Sequence, residues 1–349
     1  MTRRCNLKCV HCYAHARDAF FKGNELNTEE GKRLIDDLAA FGSPVMLFSG
    51  GEPVLREDLP ELIDYAVKKG MRAVISTNGT LITEEKARIF AKFNLSYIGV
   101  SLDGIGGVND AFRGVKGAFD KAMDGIRNAK KAGIKVGLRF TINKRNYKEI
   151  PRIFDLIDTE GIERACFYHL VYAGRGSELM NEDLSHEETR KSVDYILDRT
   201  KSFFDKGKPI EVLTVDNHAD GPYLYMRLLR EDPARAAEVF DLLMMNEGNA
   251  SGVGIACVDE EGNVHADQFW RHYSFGNVRK RPFSEIWMDT SNELMDKLKR
   301  KKEFVKGRCA RCRWLNICGG NFRVRAEAKT GDLWAEDPQC YLTENEITK

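Results

Sequence analysis

A parallel α/β architecture, either a barrel or a doubly wound sheet, is what the hydrophobic pattern of this chain predicts. Three observations carry it. Short β-type runs alternate with amphipathic stretches over the first two hundred residues. Successive strand starts lie 27, 25, 38 and 29 residues apart, which are βα-unit distances rather than hairpin distances and favour right-handed crossovers. The unusual residues, Gly50-Gly51-Glu52-Pro53, Thr77-Asn78-Gly79, Asp103-Gly104 and Gly174-Arg175-Gly176, all stand where strands end, the edge at which parallel folds build their sites.

In order, strands are expected over 45–49, 72–77, 97–101, 135–141 and 164–171, with helices over 59–69, 83–93, 119–132 and 150–158, most closing near a Gly or Asn stop signal. A long polar helix over 185–206 is followed by a short strand over 210–215 and a single helix over 222–246. After a loop at 246–252, runs over 253–258 and 263–266 flank the turn Asp259-Glu260-Glu261-Gly262 and read as a hairpin, and a helix follows over 284–301. The rhythm divides the chain into a core over 1–209, a bridging segment over 210–250 and a smaller domain over 251–349.

Charge narrows the function. The 349 residues carry 54 Lys plus Arg against 53 Asp plus Glu, so no global positive field attracts nucleic acid or anionic lipid, and anionic ligands must be met by local Arg clusters. No apolar run approaches the roughly 18 residues of a spanning helix. The first residues lead into cysteines rather than an apolar signal segment, so a cytoplasmic protein is expected.

Nine cysteines, an odd and clustered set, suggest metal rather than disulfides. Cys5, Cys9 and Cys12 form a C-x3-C-x2-C loop, and Cys309, Cys312 and Cys318 form a second group followed by Cys340. Cys166 and Cys257 stand alone, Cys166 in an apolar run that reads as core. Three thiolates leave one iron of a 4Fe-4S cluster free for a chelating cofactor. Zinc, with His11 or His15 as fourth ligand, is the plainer alternative. The cysteine loop followed by Tyr13, then Gly50-Gly51-Glu52-Pro53, then Ser76-Thr77-Asn78-Gly79 resembles the radical S-adenosylmethionine (SAM) superfamily.

That resemblance implies a partial (β/α)6 TIM-like barrel with a SAM-bound reducing 4Fe-4S cluster on Cys5, Cys9 and Cys12. It further implies that Gly50, Gly51 and Glu52 meet the methionine amine, Arg139 its carboxylate, Asn78 and Ser101 the ribose, and Tyr13 the adenine. Only Met1 to Arg4 precede the cysteine loop where the family has a strand, so a barrel lacking or shortening its first member, with an exposed edge, is expected.

The C-terminal group resembles SPASM or twitch domains with two cysteines replaced, by Asp267 and Phe322. This leaves Cys309, Cys312, Cys318 and Cys340 for one auxiliary 4Fe-4S cluster, with Cys257 as a leftover or substitute ligand and a four-cysteine zinc ribbon as the plain alternative. Segments rich in aromatic, His and Arg residues resemble the tetrapyrrole-modifying branch of the superfamily. They offer Arg271, Arg323 and Arg325 for substrate carboxylates and His218 or His272 for a substrate iron. The resemblance implies radical removal of acetate side chains from didecarboxysiroheme, with electrons from a donor such as flavodoxin or ferredoxin. Propionate removal, peptide maturation and a zinc-stabilised scaffold are the alternatives.

Overall fold

The computed structural model describes residues 1–348. Six strands, β1 (Val45–Phe48), β2 (Arg72–Thr77), β3 (Tyr97–Ser101), β4 (Val136–Ile142), β5 (Arg164–His169) and β6 (Glu211–Val215), pair in parallel in their chain order. Each crossover therefore steps one place in the same direction, which puts the intervening helices on one face and curls the sheet into an open barrel rather than a doubly wound sheet. β6 pairs with β5 from Arg164 opposite Glu211 to Tyr168 opposite Val215, so the barrel runs past residue 209 and takes its last strand from the segment expected to be a bridge.

The outer helices are α1 (Thr28–Ala40), α2 (Leu59–Lys68), α3 (Glu84–Lys92), α4 (Gly107–Arg113), α5 (Ala118–Lys131), α6 (Ile150–Glu160) and α7 (His186–Asp205). The sequence pattern gives no expectation for α1, although Asn27 and Glu30 form a capping box at its start, as Ser185 and Glu188 do for α7. One core joins sheet and helices, with Phe140, Phe154 and Phe167 fully buried between β4, β5 and α6. Beyond β1 lies the opening stretch of the chain, where Thr2 O accepts from Gly51 N at 2.6 Å and Arg4 O from Glu52 N at 2.8 Å. β1 keeps a free edge, and Val45 and Leu47 are nearly half exposed.

Two long helices expected from the sequence are each broken. Asp232-Pro233 separates α8 (Asp220–Glu231) from α9 (Pro233–Asn246), because Pro lacks the N–H a continuous helix needs. The smaller domain opens with a three-stranded antiparallel sheet, β7 (Cys257–Val258), β8 (Asn263–His265) and β9 (Gly276–Asn277). The expected 284–301 helix is α10 (Phe283–Met288) and α11 (Glu293–Lys299), divided where Asn292 caps the second. Short helices α12 (Gly307–Ala310), α13 (Leu315–Cys318), α14 (Arg323–Thr330) and α15 (Glu344–Thr348) complete it.

Candidate active site

Strand alternation divides the barrel's residues. Phe140 and Phe167 face the helices, while register places Ser101 beside Arg139, Arg139 beside Cys166, and Tyr168 beside Val215 on the inner face. Cys166 is buried, as expected, but on this inner face. The Arg139 guanidinium lies 4.6 Å from the centre of the Tyr168 ring, and among the described residues no carboxylate comes within ion-pair reach of it. It stays available to an incoming carboxylate.

The cysteine loop closes one end of this face. Every sulfur receives an N–H donor: Leu7 N reaches Cys5 Sγ at 3.4 Å, Arg113 Nη1 reaches Cys9 Sγ at 3.5 Å, and Ala16 N reaches Cys12 Sγ at 3.5 Å. Donors aimed at all three sulfurs suit thiolates carrying negative charge. Burial pushes the free Cys5 thiol up to about 12, so near neutrality it would become a thiolate only on binding a metal. Arg175 clamps the loop from outside, its Nε donating to Cys9 O at 2.8 Å while its own N–H donates to Cys12 O at 3.0 Å. The residues present fit a thiolate-held cluster.

Several residues expected around the cofactor are otherwise engaged. Glu52 is fully buried, and its carboxylate accepts from Val54 N at 3.0 Å, Thr77 Oγ1 at 2.7 Å and Asn78 N at 2.8 Å. It ties together the turns after β1 and β2, so most of its acceptor capacity is taken up within the chain. Gly50, at φ 137°, and Gly51 are required by the chain itself, since a Cβ on either would stand 2.5 Å from Thr2 O or 2.2 Å from Arg4 O. Asn78 turns to the cluster loop, donating to Asn6 Oδ1 at 2.9 Å with Cys5 Sγ 3.9 Å away. Tyr13 OH meets Ser49 Oγ at 3.2 Å, and its ring packs edge-on against Phe269 of the smaller domain. Ser101 and Arg139 remain open to a ligand.

At the other end, Cys309, Cys312, Cys318 and Cys340 line a single cavity, and burial raises all four thiols. Cys257 lies elsewhere, in the charge environment of Arg271, Asp259 and Asp267. Asp267 is buried and accepts from Phe269 N at 2.8 Å; Phe322 packs edge-on against Phe269. Neither points to a second auxiliary site.

The arginines expected to bind substrate already have partners within the chain. Arg325, without exposure, forms a forked pair with Asp337, both N···O distances 2.8 Å, and donates to Leu170 O at 3.0 Å and Asp216 O at 2.9 Å. Arg323 donates to the carbonyls of Leu333, Ala335 and Gly320. Both are mortar between and within domains, with no free fork for a substrate. Arg271, one-fifth exposed, pairs with Glu260 at 2.5 Å, and His272 with Glu327 at 3.0 Å. His218 keeps its candidacy: its ring stacks on Phe322 with centroids 6.4 Å apart, and burial draws it down to about 4, leaving the neutral imidazole a metal ligand must be.

Sequence reasoning missed Asp216 and the network around Asp220. Asp216 directly follows β6 at φ 68°, is 7% exposed, and burial pushes its carboxyl up to about 7, with Arg325 opposing and Asp267 adding. Asp220 accepts from Tyr341 OH at 2.7 Å and stands 2.9 Å from His169 Nε2, joining the barrel to the C-terminal strap. A lone Asp after a strand carries no sequence signal. The Asp220 network joins residues 121 apart.

Residues 1–157 match the radical SAM superfamily, and residues 249–313 match an iron-sulfur cluster-binding domain, SPASM. The chain is 68% identical over 350 residues to Fe-coproporphyrin III synthase of Methanosarcina barkeri, covering 99% of this chain and 88% of that protein. It is 43% identical over 350 residues to pre-heme d1 synthase of Dinoroseobacter shibae (98% and 85% covered) and 33% identical over 351 residues to AdoMet-dependent heme synthase of Nitratidesulfovibrio vulgaris (100% and 92% covered). In fold it is similar to Streptococcus suis SuiB bound to precursor peptide SuiA, with TM-score 0.75 at 18% identity over 98% of this chain and 74% of that one. It is also similar to anSMEcpe with bound AdoMet, with TM-score 0.72 at 19% identity over 96% and 91%. With three N–H-supported cysteines at one end of an open parallel barrel and four more around one cavity beyond it, the chain belongs to the radical SAM superfamily, in the group that carries a SPASM domain.

Proposed function

We propose that this protein removes the two acetate side chains of 12,18-didecarboxysiroheme to give iron-coproporphyrin III, as a cytoplasmic enzyme supplied with electrons by a flavodoxin or ferredoxin. The observation that carries the reading is the gradient of similarity, 68% to an Fe-coproporphyrin III synthase against 43% to a pre-heme d1 synthase, each over almost the whole chain. Membership brings SAM, a reducing 4Fe-4S cluster and an auxiliary cluster, and SAM supplies the radical that starts carbon–carbon cleavage.

The chain's own residues divide the remaining work. Cys5, Cys9 and Cys12 would hold the reducing cluster, and Cys309, Cys312, Cys318 and Cys340 the auxiliary one. Arg139, stacked on Tyr168 and without a carboxylate partner, grips a carboxylate on the inner face beside Ser101. Asp216, just beyond the strand whose Val215 lies beside Tyr168 and with its carboxyl pushed up to about 7 by burial, exchanges a proton with the substrate, while neutral His218 supports the substrate iron. Anaerobic incubation with didecarboxysiroheme, SAM and a reductant, followed by chromatography and mass analysis of the macrocycle, tests the reading. Loss of acetate arms supports it; loss of propionate arms moves the protein to the pre-heme d1 reaction, and an unchanged macrocycle overturns the tetrapyrrole assignment.

A further inference from the structure

Helix α4 ends directly on the cluster loop. It stops at Gly114, φ 68°, where any Cβ would stand 2.7 Å from Lys8 O. Two backbone bonds fasten the contact, Lys8 N to Arg113 O and Val10 N to Phe112 O, both 3.0 Å. From this helix end Arg113, 8% exposed, donates through Nη1 to Cys9 Sγ at 3.5 Å and pairs through Nη2 with Asp103. Asp103 has no exposure, sits just beyond β3, and holds Thr141 N with its other oxygen at 2.8 Å. His11 Nε2 lies 3.4 Å from Asp103 Oδ2, on the side of that carboxylate that also meets Arg113.

We propose that Arg113 and Asp103 set the reduction potential of the reducing cluster, Arg113 through its charge and hydrogen bond at Cys9 and Asp103 by holding Arg113 and offsetting that charge. Reduction adds an electron to the cluster, so a cation at a ligand sulfur favours the reduced state, and burial leaves the effect little screened. Asp103 acts in the opposite sense through the same guanidinium. The pair is a positioning and tuning device, since only Arg113 touches a ligand atom. The inference rests on the cluster assignment and is independent of which side chain the enzyme removes.

The test is a redox titration of the reconstituted protein followed by electron paramagnetic resonance, with the reducing cluster recognised by the change in its signal on adding SAM. Arg113→Gln is expected to lower the ratio of reduced to oxidised cluster at a fixed poise about tenfold, which is about 59 mV for a one-electron couple. Asp103→Asn moves the midpoint the other way, and Arg113→Lys, which keeps charge without the fork, falls between parent and Gln. Midpoints unchanged in all three, or shifts of the same sign for Arg113→Gln and Asp103→Asn, overturn the proposal. Loss of the N-terminal iron in every variant overturns it too, because it reduces the pair to scaffolding. Opposite shifts in a protein that leaves didecarboxysiroheme untouched refute the substrate and leave this inference standing.

Discussion

Replacing Arg325 by Gln separates a structural arginine from a substrate-binding one. The side chain is without exposure, and its removal strands Asp337, 2% exposed, without its forked partner while leaving Leu170 O and Asp216 O without a donor. Breaking a buried pair by removing one member costs about 3–5 kcal/mol. With an unfolding entropy of about 2.1 cal/mol/K per residue, a chain of this length loses roughly 4–7 °C of thermal midpoint. The assay is anaerobic calorimetry of the cluster-loaded protein at several pH values. In the parent, burial raises the Asp337 carboxyl, but Arg325, with the Gln339 N–H and Arg323 adding, holds the group below its ordinary value. Its stabilisation is therefore present above the unfolded pKa and is lost as pH falls through the folded one. In the variant burial acts unopposed by Arg325, so Asp337 takes a proton more readily and the deficit shrinks toward acid pH. An unchanged midpoint together with weakened binding of didecarboxysiroheme in an absorbance titration would refute this reasoning and return Arg325 to the substrate.

Changing Cys5, Cys9 and Cys12 together to Ala should abolish deoxyadenosine formation while about four irons remain at the C-terminal site, as read by iron and sulfide analysis; retained deoxyadenosine sinks the ligand assignment. Cys257→Ala should leave the iron count unchanged, because that thiol is not among those lining the auxiliary cavity, and a loss of about four irons there would show the ligand set to be wrong. Glu52→Ala should destabilise the protein by roughly 2–4 kcal/mol, since three buried donors lose their acceptor. It should also lower iron occupancy through the Asn78 contact with the cysteine loop, and unchanged stability on thermal unfolding contradicts the clamp role.

Much of the fold is legible locally. Strand alternation and βα spacing depend on residues close in sequence, and the expected strands agree with β1 to β6 to within two residues at each end. The helix breaks at Asp232-Pro233 and before Asn292 were also written in local signals, a proline and a capping residue, inside runs apolar enough to read as continuous. The membership of β6 was not legible, because a five-residue strand reads the same whether it extends a barrel or crosses between domains, and only its register against β5 settles the matter.

By itself the sequence pointed to metal chemistry: three thiols in an eight-residue loop and four more near the other end read as metal-ligand sets by residue type and spacing, the family resemblance turned that reading toward iron-sulfur clusters, and the strand-end glycines mark the expected working edge. What only the tertiary structure decided is which charged residues are free. Arg139 and Arg325 look alike in sequence, yet one lies over a tyrosine ring with no acid beside it among the described residues and the other is locked to Asp337. Glu52, an evident ligand in its motif, faces inward to three donors. A buried charge must be compensated, and whether a ligand or another part of the chain compensates it depends on which distant residue folding brings within 3 Å.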